Sequence, residues 1–120
     1  MKEDIQDIRT RSKQFALRII KLYSALPKTK PSQVIGTQLL RSGTSVGAQY
    51  REACRAKSDA DFISKMQGAL QELDETEYWL ELLIESGIMP EKKLGDLMRE
   101  TTELTAIFTT MTKKVKLRTH

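Results

Sequence analysis

Glycine, proline and cysteine are scarce in this chain, and each scarcity excludes a class of fold or site. Six glycines and three prolines among 120 residues are too few for the many tight turns of an all-β protein. The one cysteine, Cys54, forms no intrachain disulfide, and without a histidine partner it makes neither a zinc site nor a Cys–His nucleophile. The length suits a single domain over residues 1–120, for which we expect no cofactor and no metal.

Histidine and long apolar runs are also lacking. The only histidine is His120, the last residue, so the Glu-x-x-His pairs of di-iron bundles are absent. The longest uncharged stretch, residues 31–40, is about half a membrane span. Residues 1–11 carry three acidic and three basic side chains in place of the apolar run of a signal peptide. We therefore expect a cytoplasmic protein that has no membrane contact, no small-molecule substrate and no enzymatic activity.

Four segments carry apolar residues at steps of three and four, the spacing of amphipathic helices. The pattern predicts helices over residues 4–25, 32–56, 59–86 and 90–115, with a basic C-terminal tail over residues 113–120. Ser58 and Asp61 have the spacing of a helix N-cap. Gly87 suits a helix C-terminus, and Pro90 suits the first turn of the last helix. Short loops favour antiparallel neighbours, so the predicted fold class is all-α, an antiparallel up-down-up-down four-helix bundle.

Helix 1 carries more apolar surface than one stripe of a bundle requires. Leu17, Ile20 and Tyr23 lie beside its heptad seam rather than in it, so the apolar arc covers most of the helix circumference. An arc this wide predicts a second buried contact, most simply with another subunit of a homo-oligomer. The same assignment, to the core or to a subunit interface, applies to Tyr50, Tyr78 and Trp79.

Helix 2 contains Gly43 and Gly47 in its interior, where a glycine costs up to ~1 kcal/mol relative to alanine. Close approach of a neighbouring backbone would compensate for that cost, because a larger side chain would block the approach. A break in the helix near Ser42–Gly43 is the alternative interpretation.

Charge is unevenly distributed, although the net charge is only +4. Residues 1–30, 31–57 and 91–120 carry +5, +3 and +3, whereas residues 58–90 carry −7. In an antiparallel bundle the start of helix 1, the end of helix 2 and the tail share one end, which predicts a basic end suited to nucleic-acid phosphates. The candidate nucleic-acid-binding residues are Arg9, Arg11, Arg18, Arg41, Arg51, Arg55, Lys113, Lys114, Lys116 and Arg118.

The acidic segment centres on helix 3, where Glu77, Glu81 and Glu85 form one i, i+4 row. If this face is exposed, it repels phosphate and favours a basic protein partner. If it pairs with a neighbouring subunit, the remaining surface is more basic. The leading hypothesis is a non-enzymatic, oligomeric nucleic-acid-binding protein, and the alternative is a protein-interaction scaffold. A carboxylate metal site or acid–base pair on this row is a third hypothesis.

Helices 2 and 3 contain the most specific sequence blocks. The segments Arg41–Ala53, Asp61–Lys65 and Ala69–Leu83 follow in an order and at distances that resemble the bacterial four-helix-bundle proteins encoded within intervening sequences of 23S (large-subunit) ribosomal RNA genes. The resemblance extends over residues 5–115. Three positions depart from the family pattern, with Gln49 in place of the usual Asn, Gly68 in place of a larger residue and Leu73 in place of a smaller one.

The resemblance implies a bundle that assembles as a ring-like homopentamer. It also implies kinship with the accessory variability protein of diversity-generating retroelements, a basic pentamer that binds nucleic acid and partners a reverse transcriptase. The expected partners are therefore other copies of this chain and nucleic acid. In the scaffold alternative, the partner is a reverse transcriptase or another element-encoded protein. No established activity accompanies the ribosomal-RNA-associated branch of the family.

Overall fold

Four α-helices account for most of residues 5–118, the part of the chain that the computed structural model describes. They are α1 (Ile5–Ala25), α2 (Lys30–Cys54), α3 (Asp59–Glu85) and α4 (Glu91–Arg118), and residues 5–118 contain no strand. The fold is therefore all-α, as predicted. The predicted start of helix 1 at Asp4 and the end of the predicted tail, Thr119 and His120, lie outside the described residues.

The helix boundaries differ from the predicted ones by a few residues. α2 begins at Lys30, before Pro31, because proline is compatible with a first turn whose N–H groups have no partner within the helix. It runs without the alternative break near Ser42–Gly43 and ends at Cys54. α4 continues to Arg118, three residues beyond the predicted end, and its buried stripe reaches Val115. The cations at 113–118 consequently occupy the last turns of α4 rather than a tail beyond a helix ending at residue 115.

Local side-chain and backbone contacts define both ends of α3. The Ser58 hydroxyl accepts a hydrogen bond from the Asp61 amide at 3.1 Å, and the Asp61 carboxylate accepts one from the Lys57 amide at 3.3 Å. The predicted N-cap is thereby confirmed. At the other end Gly87 has φ of 79°, a left-handed conformation that glycine adopts without the steric cost of a Cβ atom.

The core is a continuous apolar cluster to which all four helices contribute. Its largest fully buried side chains include Phe15, Tyr50 and Phe108, and the Tyr50 and Phe108 rings stack with centroids 5.3 Å apart. Contacts join α1 to α2, α2 to α3 and α3 to α4, whereas α1 and α4 touch at few positions. Within the described residues no Cα atom of α1 lies within 8 Å of one in α3, so these two helices face each other only across the core.

Glycines in α2 allow α1 to approach closely. A Cβ atom at Gly47 would lie 3.4 Å from the backbone carbonyl oxygen of Ser12, and one at Gly43 would lie 2.7 Å from Cγ1 of Ile19. The predicted close approach is confirmed, but the neighbour is a helix of the same chain. These glycines therefore need no second subunit to explain them.

Gln49 on α2 lies against Gly68 on α3. A Cβ atom at Gly68 would lie 2.7 Å from the side-chain oxygen of Gln49. A larger residue at position 68 would therefore require the end of the glutamine side chain to move. Leu73 is fully buried in the core.

A matched pair of glycine substitutions tests the close approach. Gly43→Ala places a methyl group against the branched, fully buried Ile19 side chain, so we expect the free energy of unfolding to fall by about 1–3 kcal/mol. Gly95→Ala in α4 meets only the Arg99 side chain at 3.8 Å, and we expect it to stabilise the protein by roughly 0.5–1 kcal/mol through helix propensity. Denaturant unfolding measures both, and equal effects would contradict the packing described.

Candidate nucleic-acid interface

The end of α2, the start of α3 and the end of α4 line one pocket, and the part of α1 around Ser12 lies beside the late residues of α2. Ser12 lies against Gly47, Arg118 of α4 lies 3.2 Å from Asp59 of α3, and residues 50–62 share a pocket with Met111 and Val115. We call this region the basic end. Its cations are Arg9, Lys13, Arg51, Arg55, Lys57, Lys113, Lys114, Lys116 and Arg118.

Three acidic residues near the basic end are engaged in local contacts. Asp59 pairs with Arg118 at 3.2 Å, and Glu52 pairs with Lys65 at 3.3 Å. The Asp61 carboxylate accepts the Lys57 amide hydrogen bond at the start of α3. As a result, several cations of the basic end form no ion pair with a described residue. They are Arg9, Lys13, Arg51, Arg55, Lys57, Lys113 and Lys114.

Arg11 and Arg41, two of the predicted binding residues, are paired with carboxylates of the same chain. Arg11 on α1 donates hydrogen bonds to Glu100 at 2.8 Å and to Glu103 at 2.7 Å, which joins α1 to α4. Arg41 on α2 pairs with Glu75 and, at 3.1 Å, with Glu72 on α3. Hydrogen bonding to Glu75 is the largest cause that raises the pKa of Arg41 above its usual value. A phosphate would have to compete with these carboxylates.

Arg18 lies outside the basic end. Its exposed side chain lines a cleft between α1 and α4 together with Lys21 and Lys93. The structure thus brings most of the predicted binding residues to the basic end, directs the Arg11 side chain, between Arg9 and Lys13 in α1, to Glu100 and Glu103 of α4, and places Arg18 and Arg41 elsewhere. Those at the basic end are Arg9, Arg51, Arg55, Lys113, Lys114, Lys116 and Arg118. Whether any of them contacts nucleic acid stays a prediction.

Lys57 is a cation of the basic end that sequence reasoning missed, whereas Lys13 belongs to the basic residues of helix 1 but not to the candidate binding residues. Lys57 follows Arg55 in the short loop between α2 and α3, and its proximity to Arg55 in the sequence was the available signal. Lys13 lies beside a shallow groove of about 290 Å³ between α1 and α2, together with Arg51. The groove is lined by small residues, Ser12, Ala16, Thr44, Gly47 and Ala48. Only the folded arrangement of α1 against α2 brings these two cations to one groove.

The acidic face of α3 is largely exposed in this chain. Asp74, Glu81 and Glu85 are exposed and form no ion pair with a described residue. Glu72 and Glu75 differ, because they pair with Arg41. The acidic face belongs to the second half of α3, whereas the first turn of that helix lies at the basic end.

The predicted packing and interface residues fall into two groups. Tyr50 is fully buried in the core, and Tyr23 is half-buried, with its ring 3.1 Å from the position of a Cβ atom at Gly36. In contrast, Leu17 and Ile20 on α1 are 49% and 44% exposed, and Tyr78 on α3 is 53% exposed. Trp79 is half-buried and packs edge-on against Tyr78, with ring centroids 5.0 Å apart. The exposed apolar residues are available for a further contact.

The described residues form neither a metal centre nor a membrane-spanning helix. Residues 7–118 contain no cluster of three or more histidine, cysteine or acidic side chains placed to hold a metal ion. No helix in the described part of the chain has the apolar length needed to cross a membrane.

Comparison with known proteins establishes the family. The sequence profile of the 23S rRNA-intervening sequence proteins matches residues 5–110. The chain belongs to this family. A crystal structure from Bacteroides thetaiotaomicron VPI-5482, of a protein with unknown function from the S23 ribosomal protein family, shares 40% sequence identity with a TM-score of 0.85. The similarity covers 91% of this chain and 97% of that chain. No curated protein matches this chain.

The family match also separates two parts of the basic end. Arg9, Arg51, Arg55 and Lys57 lie inside the matched range, whereas the cations of the last turns of α4 lie beyond residue 110. The family assignment therefore covers the α1–α2 part of the basic end and does not extend to residues 113–118.

Proposed function

We propose that this chain is a non-enzymatic, cytoplasmic protein that binds nucleic acid through the basic end. The observation that carries the proposal is the group of seven cations there that form no ion pair with a described residue. Such cations are free to neutralise phosphates, and each contact adds favourable counterion release. Phosphate contacts position a protein without reading sequence, so the proposed binding follows the shape and backbone of RNA or DNA rather than base sequence.

The proposed assembly is a ring-like homopentamer of antiparallel up-down-up-down bundles. Contacts that support the helix order pair early residues of α1 with late residues of α2, and late residues of α4 with early residues of α3. The exposed Leu17 and Ile20 side chains support a contact between subunits, because adjacent exposed apolar residues are typical of such interfaces. The proposed kinship with the accessory variability protein of diversity-generating retroelements agrees with a basic oligomer. A ring would repeat the basic end five times around one axis.

Light scattering tests the oligomer. The proposal predicts a mass five times that of the 13.7 kDa chain, and we expect the double variant Leu17→Glu/Ile20→Glu to dissociate because it places charge at the apolar contact. Circular dichroism checks that the double variant folds. We expect it to fold because both side chains are half-exposed and lie outside the core. A wild-type mass equal to that of one chain would contradict the assembly.

Removing charge from the basic end tests nucleic-acid binding. We expect Arg55, Lys57, Lys113 and Lys114, all changed to Gln, to weaken binding to structured RNA by at least tenfold at low salt. The dependence of log K on log salt should become shallower by roughly one for each phosphate that the variant no longer neutralises. Fluorescence anisotropy at about 50 and 200 mM salt, a range over which phosphate-mediated binding weakens strongly, measures both effects. Single-stranded RNA and duplex DNA titrated in parallel determine which nucleic acid is preferred.

A matched variant removes the same number of charges elsewhere. Lys28, Lys30, Lys92 and Lys93, all changed to Gln, lower the net charge equally but lie in or beside the loops at the opposite end. We expect this variant to bind nearly as the wild type does. Equal weakening by both variants would indicate a non-specific charge effect and contradict binding at the basic end. If the wild-type protein binds none of the three nucleic acids at low salt, the proposal is wrong.

A protein-interaction scaffold is the second candidate function. It is favoured by one observation, the exposed acidic face of α3 beside the exposed Tyr78 side chain. A carboxylate row of this kind repels phosphate and suits a basic protein partner, such as a reverse transcriptase or another element-encoded protein. The scaffold becomes the favoured function if the wild-type protein binds no nucleic acid in the titrations above.

A further inference from the structure

A pocket of about 470 Å³ opens at the basic end, between the α2–α3 loop and the last turns of α4. Its volume lies within the range of small-molecule sites. The apolar or weakly polar part of its lining comprises Tyr50, Ala53, Cys54, Ala56, Phe62, Met111 and Val115, and the polar part comprises Lys57, Ser58, Asp59 and Arg118. The pocket thus combines apolar side chains with polar and charged groups, the two kinds of contact that small-molecule sites use.

Burial distinguishes the inner wall of the pocket from its entrance. Tyr50, Ala53 and Val115 are buried, so they form the inner wall. Phe62 and Met111 are half-buried, whereas Lys57, Ser58 and Arg118 are exposed and face solvent at the entrance. A ligand that enters the pocket therefore passes cationic groups before it contacts the aromatic and aliphatic side chains inside.

We infer that this pocket receives one unstacked nucleobase of the bound nucleic acid, an inference that rests on the proposed function. Unpaired bases are recognised by stacking on aromatic side chains and by hydrogen bonds at their edges. Phe62, which is half-buried, supplies the aromatic surface, whereas Tyr50 is fully buried and stacks on Phe108. The Arg118–Asp59 pair supplies donors and acceptors, because the guanidinium carries N–H groups and the carboxylate accepts.

The cations around the entrance favour a nucleobase over an apolar side chain of a partner protein. Lys57 lines the pocket, and Arg55 lies two residues away without an ion-pair partner among the described residues. In a nucleic-acid strand, each nucleotide has a phosphate on both sides of its sugar. These cations can neutralise those two phosphates while the base of that nucleotide lies in the pocket. An isolated apolar side chain would gain nothing from them.

Reactivity of the Cys54 thiol reports directly on the occupied pocket in the wild-type protein. Cys54 lines the pocket and is the only cysteine in the chain, so alkylation by iodoacetamide modifies one position. We expect an RNA hairpin with a single-stranded loop to slow this alkylation at least fivefold at saturation. A fully paired RNA duplex of equal length, also at saturation, should leave the rate unchanged. If the bound hairpin does not protect Cys54, the inference is wrong.

A substitution that fills the pocket provides the second measurement. Ala56→Met should weaken hairpin binding roughly tenfold, which is within the range for loss of one stacked base, and should leave duplex binding unchanged. Ala106→Met, at an exposed position of α4 outside the pocket, is the matched control and should alter neither. Thermal unfolding checks that both variants fold. If Ala56→Met does not fold, the Cys54 measurement on the wild-type protein tests the base pocket without it.

The outcomes separate this inference from the proposed function. Binding of the hairpin without Cys54 protection would overturn the base pocket, whatever the affinity of Ala56→Met, and would leave phosphate binding standing. Absence of hairpin and duplex binding by the wild-type protein would overturn both. Protection of Cys54 by the hairpin together with the selective loss in Ala56→Met supports the pocket.

Discussion

The close approach of α1 and α2 at Gly43 and Gly47 is the constraint on which the arrangement of this surface depends. A methyl group at Gly43 would collide with the buried Ile19 side chain, and the backbone of Ser12 lies beside Gly47. With the two helices held this closely, the first turns of α1 lie beside the last turns of α2, and Lys13 and Arg51 share a groove. The same packing leaves Leu17 and Ile20 half-exposed on the outside of α1.

Local pairing of carboxylates then determines where positive charge remains available. Asp59 is held by Arg118, and Asp61 caps the start of α3, so the acids nearest the basic end are already engaged. Arg11, between Arg9 and Lys13 in α1, and Arg41, in the middle of α2, are each held by two glutamates. The net charge of +4 conceals this separation. Arg18, Lys21 and Lys93, outside the basic end, also form no ion pair with a described residue, so binding of phosphate at the basic end stays a prediction.

The sequence predicted features that arise from local chemistry and missed those that arise from distant contacts. The Ser58 cap and the left-handed Gly87 follow from neighbouring residues, and the all-α fold follows from helical periodicity. The ion pair between Arg11 and Glu100 joins residues 89 positions apart, so no local pattern indicated it. The pocket beneath Lys57 exists only because three helices meet there.

Photo-crosslinking followed by peptide mapping tests the central claim, nucleic-acid binding at the basic end, most directly. An RNA hairpin containing 4-thiouridine in its loop would be crosslinked to the wild-type protein, and the modified peptides would be identified by mass spectrometry. Binding at the basic end predicts crosslinks within residues 51–62 and 111–118, with none in the second half of α3. Crosslinks concentrated around Arg18, Lys21 and Lys93, in the cleft between α1 and α4, would contradict it.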